Sequence, residues 1–337
     1  MKLTWDHLSL KQASVFRTAK ATRTDKQTLW VRLVHDGVVG WGEAAPMDTY
    51  GQSLASAEAT LGKVAPMLDG DPLAVEKIVG VLLERFDDQR ATVAAVDAAL
   101  HDWIGKRFDL PVSKWLGFDP REIPLTSYTI GIDEPDKIAE KVDQAADFPI
   151  LKVKVGTPAD EATLAMIRKI APNKTIRVDA NAAWSVAEAL ERIPRLMEFD
   201  IEFMEQPIPA GDRDGLRALK EAGFCPIVAD ESCVRPADVV ALAGCVDGVN
   251  IKLAKCGGIR EAIRMIHLAR GFGFKIMLGC MIESSLGIAA AAQLAPLVDW
   301  LDLDGHLLLA EDPFQGLGGQ KGRLCIGQQP GLGVQPG

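Results

Sequence analysis

The acidic residues best placed for chemistry in this sequence each come directly after a short apolar segment. They are Asp179, Glu205 and Asp230, and they lie roughly 25 residues apart, which is the length of one strand-plus-helix unit. Carboxylates brought together in this way repel one another unless a cation neutralises them. Oxygen ligands without cysteine or histidine favour Mg²⁺, with Mn²⁺ as an alternative. The pattern predicts one metal site, although each residue alone is equally typical of a helix N-cap or a solvated loop.

Three lysines occupy strand positions that face the same region. Lys152 and Lys154 alternate with apolar residues in one segment, so both lie on the same side of a strand, and Lys252 repeats this arrangement in a later segment. In a central barrel strand that side is the interior, where an unpaired ammonium group is unfavourable. Two ammonium groups close to a metal and to each other are expected to have depressed pKa values, as proton transfer requires. A structural ion pair with a carboxylate is the alternative, chiefly for Lys152.

These residue types suit the removal of a proton from the carbon next to a carboxylate. Such a proton is very weakly acidic, and its removal leaves two negative charges on the enediolate oxygens. A metal bound to the substrate carboxylate stabilises this charge where it develops. The sequence therefore indicates metal-assisted proton abstraction.

The elements that must position these residues divide the chain into two parts, the first covering residues 1–120. Two apolar-rich segments joined by Asp36-Gly37 predict a β-hairpin, and three alanine- and leucine-rich stretches predict helices. The hairpin strands are predicted at Thr28–Val34 and Val38–Gly42, and the helices near Leu54–Leu68, Ala74–Phe86 and Ala91–Lys106. Strands followed by helices, without alternation, predict an α+β module.

Residues 121–309 alternate regularly between short apolar segments and amphipathic helices. Strands are predicted at Thr126–Ile130, Ile150–Val155, Thr175–Val178, Ile201–Met204, Pro226–Ala229, Gly248–Leu253, Lys275–Leu278 and Trp300–Leu303. This period is that of a TIM-type α/β barrel. A doubly wound open sheet is the competing fold, but no Gly-rich dinucleotide fingerprint follows the first strand. The Gly- and Pro-rich tail, residues 310–337, is predicted to pack back as an extended strand or loop.

Composition and charge bear on partners and compartment. The 337 residues carry a net charge of -9 and no basic run interleaved with aromatic residues, which argues against nucleic acid or an anionic membrane as partner. The longest apolar stretch, near Leu286–Val298, is too short to cross a bilayer. The N-terminus lacks the apolar core of a signal peptide and the cysteines show no C-x-x-C pair, so a reduced, cytoplasmic protein is expected. A homo-oligomer is neither required nor excluded.

Taken together, the motifs resemble the muconate-lactonizing-enzyme subgroup of the enolase superfamily over nearly the whole chain. The matching motifs are Trp41-Gly42-Glu43-Ala44, Lys152-Val153-Lys154, Asp179-Ala180-Asn181, Glu205-Gln206-Pro207, Asp230-Glu231-Ser232 and Asn250-Ile251-Lys252. The resemblance implies a modified TIM barrel, (β/α)7β, covered by an α+β capping domain that the C-terminal tail joins. It also implies that the three strand-end carboxylates bind one Mg²⁺ per subunit.

The resemblance implies further roles. Lys154 and Lys252 would be the two acid/base catalysts on opposite faces of the substrate. Lys152 would stabilise the enolate and help to lower the pKa of Lys154. Asn181 and Glu231 would support the metal ligands.

Within the subgroup, the segment Asp302-Leu303-Asp304 at the end of the eighth predicted strand indicates dipeptides. Alternation aims both carboxylates the same way, where a free α-ammonium group suits them, whereas muconate or succinylbenzoate offers no cation. Dipeptide epimerases carry this D-x-D, and their seventh-strand loop resembles residues 281–287. The barrel residues expected to contact substrate are Asp302, Asp304, Thr129, Met281 and Ile282. The alternative for Asp304 is a turn residue before Gly305.

The first capping loop departs from the pattern of Ala-Glu epimerases, which present an arginine there to the acidic side chain of the substrate. An ungapped match places Ala21 at that position. Lys20 or Arg23 would substitute after a small shift; otherwise the side-chain preference differs.

The sequence thus predicts an isomerase, an Mg²⁺-dependent dipeptide epimerase of the Ala-Glu type or a related one. It would invert the α-carbon of the C-terminal residue of an L,L or L,D dipeptide by 1,1-proton transfer between two lysines through an enediolate. The alternatives in the same subgroup are o-succinylbenzoate synthase, N-acylamino-acid racemase and muconate cycloisomerase. A barrel that only binds and does not catalyse would be expected to have lost metal ligands or bases, yet the three carboxylates and the three lysines are all present. A phosphate-binding barrel using Gly257-Gly258 lacks a companion loop after the eighth strand.

Overall fold

The computed structural model describes residues 1–121 and 123–337, and it begins with an antiparallel sheet in the order β1-β2-β3. These strands are β1 (Lys2–Arg17), β2 (Thr22–His35) and β3 (Val38–Ala44). The predicted hairpin is present, with Asp36 and Gly37 at φ values of 46° and 75° in its turn. β1 was not predicted. Polar residues dominate it, and its buried apolar residues are Leu3 and Leu10, so it shows no apolar run.

Four α-helices among the described residues complete this first part, which we call the cap. They are α1 (Leu54–Val64), α2 (Val75–Arg85), α3 (Arg90–Arg107) and α4 (Val112–Trp115). The first three correspond to the predicted helices. α3 is buried along nearly its whole length because it lies directly against β3. The close approach requires glycine in the strand, since a Cβ on Gly42 would lie 2.0 Å from the Ala95 carbonyl oxygen.

The second part alternates parallel strands with helices, as predicted. Its strands are β4 (Tyr128–Ile130), β5 (Ile150–Lys154), β6 (Thr175–Asp179), β7 (Ile201–Glu205), β8 (Ile227–Ala229), β9 (Gly248–Ile251), β10 (Lys275–Gly279) and β11 (Trp300–Asp302). Its helices are α5 (Pro135–Gln144), α6 (Asp160–Ile170), α7 (Val186–Leu196), α8 (Arg213–Ala222), α9 (Pro236–Ala241), α10 (Leu253–Cys256), α11 (Ile259–Gly271) and α12 (Ser285–Ala292). The strands pair in sequence order from β4 to β11, and a parallel bridge between Thr126 and Leu301 joins the two ends. The fold is the predicted (β/α)7β barrel.

Some predicted bounds were wrong at the ends of strands. The strand predicted over Gly248–Leu253 ends at Ile251, because the chain turns into the short helix α10 immediately after Lys252. The first barrel strand is shorter than predicted and begins at Tyr128.

The tail packs back in extended form, as predicted, and contacts both the cap and the barrel. It contains β12 (Phe314–Gln315), β13 (Gly318–Gln320), β14 (Arg323–Cys325) and β15 (Gln335–Pro336). The Leu332 amide donates to Asp102 of α3 at 2.8 Å, and Phe314 meets Trp30 of β2 edge-on at 5.3 Å.

Most buried apolar side chains form a large cluster centred on the barrel, which the tail and a few cap residues join, and a second cluster within residues 3–104. A third, small cluster lies among Phe203, Val228 and Met277. The separation of the first two clusters supports the proposed division into a cap over residues 1–120 and a barrel over residues 121–309. Over the described ranges, no helix is both long enough and apolar enough to span a bilayer.

Candidate active site

The three strand-end carboxylates meet at the carboxyl end of the barrel. Asp179 is the last residue of β6 and Glu205 is the last residue of β7, and the two are paired in the register of these strands. Asp230 directly follows β8. All three side chains are buried, and one carboxylate oxygen from each lies within 4.8 Å of the other two. The predicted convergence is therefore present.

The cluster fits a hard divalent cation. Oε2 of Glu205 lies 2.7 Å from Nζ of Lys152, yet it is buried and accepts no hydrogen bond of good geometry from the described residues. A buried carboxylate oxygen in this state is unfavourable, and a bound metal ion would satisfy it. Burial, and then the charge of Asp179, raise the pKa of Glu205 to about 7. A cation would favour its ionised form.

Side chains around the carboxylates hold them in place. Asn181 donates from its backbone amide to Asp179 at 2.8 Å and from its side chain to Glu231 at 3.4 Å. Asn250 donates to Oε1 of Glu205 at 2.8 Å. The supporting role of Asn250 was missed, because nothing in the spacing of the sequence links β9 to β7.

Lys152 lies at the centre of this charge cluster. Its Nζ is 2.7 Å from Asp302, 2.7 Å from Glu205 and 3.2 Å from Asp179. Lys154, two residues further along β5, places its Nζ 2.6 Å from Oδ2 of Asp179. Both lysines therefore face the interior, as the alternation of β5 predicts.

A second pair of lysines contacts Asp230. Lys252 places its Nζ 2.7 Å from Oδ2, while Lys255 donates to Oδ1 at 2.5 Å, to the Asp230 carbonyl at 2.6 Å and to the Asn250 carbonyl at 2.9 Å. Lys255 was missed by the sequence reasoning. Lys255 lies in α10, three residues after Lys252, and this spacing places the two side chains on the same side of a helical turn. The spacing is informative only once the strand is known to end at Ile251.

The depressed lysine pKa values expected beside a bound metal remain a prediction, and the protein's own groups act in the other direction on Lys152 and Lys252. Burial lowers the pKa of Lys152, but the charge of Asp302 and its neighbours outweighs burial and holds it well above the usual value. Burial also lowers the pKa of Lys252, but the charge of Asp230 outweighs burial and holds that pKa well above the usual value.

The two aspartates of the D-x-D segment have different surroundings. Asp302 is held by Lys152 at Oδ2 and by the Ser127 hydroxyl at Oδ1, each at 2.7 Å. Asp304 accepts from the Thr129 amide at 2.6 Å, and no basic side chain of the described residues forms an ion pair with it. Burial, and then the charge of Asp302, raise the pKa of Asp304 to about 7. Burial also raises the pKa of Asp302, but Lys152 outweighs this and lowers it to about 2.

A cavity between cap and barrel opens onto both sets of residues. Both aspartates of the D-x-D segment and the other expected contacts line it: Lys20, Arg23, Thr129, Met281 and Ile282. Ala21 lines it as well, so the structure brings all three capping-loop residues together. Sequence reasoning missed cap residues that also line the cavity: Phe16, Lys26, Met47 and Tyr50.

Cationic side chains concentrate on the cap side of this cavity. Lys26 is buried and donates to the Pro46 carbonyl, and its Nζ lies 3.4 Å from Sδ of Met47. Burial, and then the charge of Arg23, lower the pKa of Lys26 to about 8. Within residues 1–121 and 123–337, neither these two side chains nor Lys20 form an ion pair.

A (β/α)7β barrel with three strand-end carboxylates, lysines facing them and an α+β cap over its mouth defines an enolase-type enzyme. Family models support this over most of the chain: "Enolase C-terminal domain-like" matches residues 136–337, and "Mandelate racemase / muconate lactonizing enzyme, N-terminal domain" matches residues 7–117. The chain belongs to the mandelate racemase / muconate lactonizing enzyme family of the enolase superfamily.

Proteins with similar sequences or structures align with nearly the whole chain. The L-Ala-D/L-Glu epimerase of Bacteroides thetaiotaomicron is 39% identical over 336 residues, covering 99% of this chain and 88% of the relative. The dipeptide epimerase of Enterococcus faecalis V583, solved with Mg and L-Leu-L-Tyr, is 33% identical with a TM-score of 0.94, covering 99% of this chain and 98% of that one. The dipeptide epimerase of Methylococcus capsulatus, solved with Mg and L-Arg-D-Lys, is 35% identical with a TM-score of 0.92, covering 99% of each chain.

Proposed function

We propose that this protein is an Mg²⁺-dependent dipeptide epimerase that inverts the α-carbon of the C-terminal residue. The observation that carries the proposal is the placement of two lysines on different sides of the barrel. Lys154 on β5 pairs with Asp179, and Lys252 after β9 pairs with Asp230, so each lysine lies beside a different carboxylate of the metal cluster. The activities and bound dipeptides of the relatives support the same reaction.

The chemistry follows from this arrangement. Mg²⁺, with Mn²⁺ as the alternative, would be held by Asp179, Glu205 and Asp230 and supplies positive charge for the oxygens of the substrate carboxylate. The neutral amine of Lys154 or Lys252 takes the α-proton on one face, and the ammonium group of the other returns a proton on the opposite face. The reverse assignment serves the other isomer, so the net result is inversion.

Lys152 performs a different task in this scheme. Its ammonium group is fixed by Asp302 and Glu205 and does not need to exchange protons. A fixed positive charge beside the metal cluster stabilises the enolate as negative charge develops on it.

The free α-ammonium group of the dipeptide is assigned to Asp304. This carboxylate is buried, lines the cavity and lacks a cationic partner among the described residues. Asp302, in contrast, already forms an ion pair with Lys152. An ammonium–carboxylate contact in such a site is specific, because an unpaired buried charge is unfavourable. N-acylated amino acids and muconate lack this ammonium group, so Asp304 favours dipeptides over the substrates of the alternative enzymes.

The cap favours an acidic side chain on the epimerised residue. Lys26, Arg23 and Lys20 line the cavity without ion-pair partners among the described residues, and the cavity therefore offers positive charge to a substrate. This matches a dipeptide of the Ala-Glu type.

A dipeptide library tests the proposal. The protein is incubated with mixed dipeptides in D₂O with Mg²⁺, and mass spectrometry identifies the members that gain one deuterium at the α-carbon. Exchange in free dipeptides with acidic C-terminal residues is expected. Exchange confined to N-acylated amino acids would instead support the racemase alternative, and no exchange in either class would overturn the proposal.

A further inference from the structure

Glu43 lies on β3, one residue before that strand ends, and its carboxylate reaches the start of α12 in the barrel. Its Oε2 accepts from the Ser284 amide at 3.1 Å, from the Gly287 amide at 3.2 Å and from the Ser284 hydroxyl. Its Oε1 accepts from the hydroxyl of Thr28 on β2 at 2.9 Å. The side chain is buried. Most of its donors therefore belong to the start of α12, across the interface between cap and barrel.

This contact completes the N-terminus of a barrel helix. The first amides of an α-helix have no partner within the helix, and a negative charge is stabilised there. The Ser284 hydroxyl accepts from the Leu286 amide at 3.2 Å and donates to Glu43, so the serine and the carboxylate act together. The cap thus provides acceptor oxygens for the first amides of α12, which is buried along its whole length.

Two walls of the substrate cavity meet at this point. Directly after Glu43, residues 44–50 carry Met47 and Tyr50 into the cavity; directly before Ser284, the loop after β10 carries Met281 and Ile282 into it. Glu43 itself does not line the cavity among the described residues. One carboxylate therefore joins the cap wall to the barrel wall without reaching the substrate.

We propose that Glu43 is a positioning residue that fixes the loop bearing Met281 and Ile282 against cap residues 44–50 and so sets the shape of the substrate cavity. For its kinetic consequences this inference rests on the proposed epimerase function. Loss of the contact weakens the binding of ground state and transition state alike, because the cavity wall is displaced while the lysines and the carboxylate cluster are not. KM therefore changes and kcat does not.

Asp97 provides a matched control from the same cap. It is also buried, and its Oδ2 accepts from the Ile259 amide at 2.5 Å at the start of α11, another barrel helix. Neither residue of this contact lines the cavity in the described structure. Weakening the Asp97 contact should destabilise the fold by loss of a similar hydrogen bond to a helix start, without moving the cavity wall.

The experiment compares Glu43→Gln, Glu43→Asp and Asp97→Asn with the wild type. In Glu43→Gln an NH₂ group replaces one of the two carboxylate oxygens. When this group faces the start of α12, it cannot accept hydrogen bonds from the amides there. For the dipeptide best used by the wild type, KM should rise about tenfold to a hundredfold, with kcat within about threefold of wild type. Glu43→Asp retains the charge and should recover part of the loss. Asp97→Asn should lower the melting temperature with KM unchanged.

Two kinetic results would overturn the inference. One is an equal rise in KM for Glu43→Gln and Asp97→Asn at equal loss of stability, which would make the role of Glu43 generally structural. The other is a fall in kcat with KM unchanged, which would place Glu43 in the proton-transfer machinery. If Glu43→Gln does not fold, Glu43→Asp carries the same comparison, because its shorter side chain also weakens the contact.

Hydrogen–deuterium exchange tests the positioning without any substrate. Amides of residues 281–288 should exchange faster in Glu43→Gln than in the wild type or Asp97→Asn, while residues 259–265 should respond only to Asp97→Asn. Unchanged exchange over residues 281–288 would overturn the positioning role whatever the activity. A wild type inactive on every dipeptide would overturn the proposed function and leave this measurement decisive for Glu43.

Discussion

Asp302 places its Oδ2 2.7 Å from Nζ of Lys152, so the first carboxylate of the D-x-D segment is already neutralised inside the barrel. Asp304, two residues later, has a backbone amide as its hydrogen-bond donor and no basic partner in the described part of the chain. Alternation along the strand brings both side chains to the cavity, as the sequence predicts. It does not reveal that Lys152 forms an ion pair with Asp302. The two carboxylates therefore have different expected functions.

Separate substitution of the two aspartates should show this division. Asp304→Asn should reduce kcat/KM for free dipeptides by roughly two to three orders of magnitude, because a buried ammonium–carboxylate contact contributes about 2–4 kcal/mol. The loss should appear mainly in KM. Asp302→Asn should lower kcat instead, since Lys152 loses a partner that fixes its ammonium group.

Steady-state kinetics with free and N-acetylated forms of one dipeptide check this prediction. The N-acetylated form should be a poor substrate of the wild type and should be insensitive to Asp304→Asn. An intact preference of the wild type for the N-acetylated form would contradict the assignment of Asp304.

The pH dependence of KM should report the same carboxylate. Burial, and then the charge of Asp302, raise the pKa of Asp304 to about 7. Below that pH Asp304 is protonated and its attraction for an ammonium group is lost; above it the carboxylate is ionised. KM for free dipeptides should therefore fall about tenfold per pH unit as pH rises toward 7 and then level off, up to about pH 8, where the substrate ammonium group itself begins to titrate.

KM measured from pH 5.5 to 8 in wild type and Asp304→Asn tests this dependence. The variant should show a flatter profile, since asparagine does not titrate. An identical profile in both proteins would assign the titration to another group.

The placement of the carboxylate cluster and of the lysines on β5 could be predicted because parallel strands have a short-range signal in the sequence. A short apolar run marks each strand, the next residue lies at its carboxyl end, and alternation determines which side chains face inwards. Asp179, Glu205 and Asp230 follow the first rule, and Lys152 and Lys154 follow the second.

Residues that depend on the packing of cap against barrel could not be predicted in this way. Glu43 and Ser284 are 241 positions apart, and no local period links them. Lys26 and Tyr50 reach the cavity only because the cap sheet lies over the barrel mouth. Lys255 depends on the exact end of β9, and a strand end is poorly defined by an apolar run.

Metal binding should be required for activity and measurable without substrate. EDTA should abolish α-hydrogen exchange, and Mg²⁺ should restore it. At 100 times its dissociation constant Mg²⁺ should also stabilise the protein by about 2.7 kcal/mol. Glu205→Gln should remove both effects, because the ligand oxygen that lacks a hydrogen bond is lost.

Calorimetric titration and thermal unfolding with Mg²⁺ alone check this, with Glu198→Gln as an exposed acidic control. Full activity of a thoroughly metal-stripped wild type would exclude the metal-dependent mechanism.

Substitution of either acid/base lysine should block epimerisation but not all proton exchange. Lys154 and Lys252 contact different carboxylates of the cluster, so each is expected to serve one face of the α-carbon. Lys154→Ala and Lys252→Ala should each exchange the α-hydrogen of one isomer with D₂O, and the isomer should differ between them. NMR of separate L,L and L,D dipeptides shows this directly, and normal interconversion of isomers by either variant would refute the two-base scheme.

Lys26 should determine the preference for an acidic side chain. It lines the cavity, it is buried, and burial together with Arg23 lowers its pKa to about 8, as expected for a cation that has no ion-pair partner among the described residues. A substrate carboxylate would provide that partner, and a charge-assisted contact in a partly buried site contributes about 1.5–3 kcal/mol. Lys26→Met should therefore reduce the ratio of kcat/KM for Ala-Glu to that for Ala-Gln by about tenfold to a hundredfold.

The comparison of Ala-Glu with Ala-Gln isolates charge, since the two side chains have nearly the same shape. Lys63→Met, on the exposed surface of α1, removes the same charge far from the cavity and should leave the ratio unchanged. The preference should also weaken above pH 8 as Lys26 loses its proton, because the lowered pKa places that titration below the ordinary lysine range. A ratio that is unchanged in Lys26→Met would assign the side-chain preference to Arg23 or Lys20 instead.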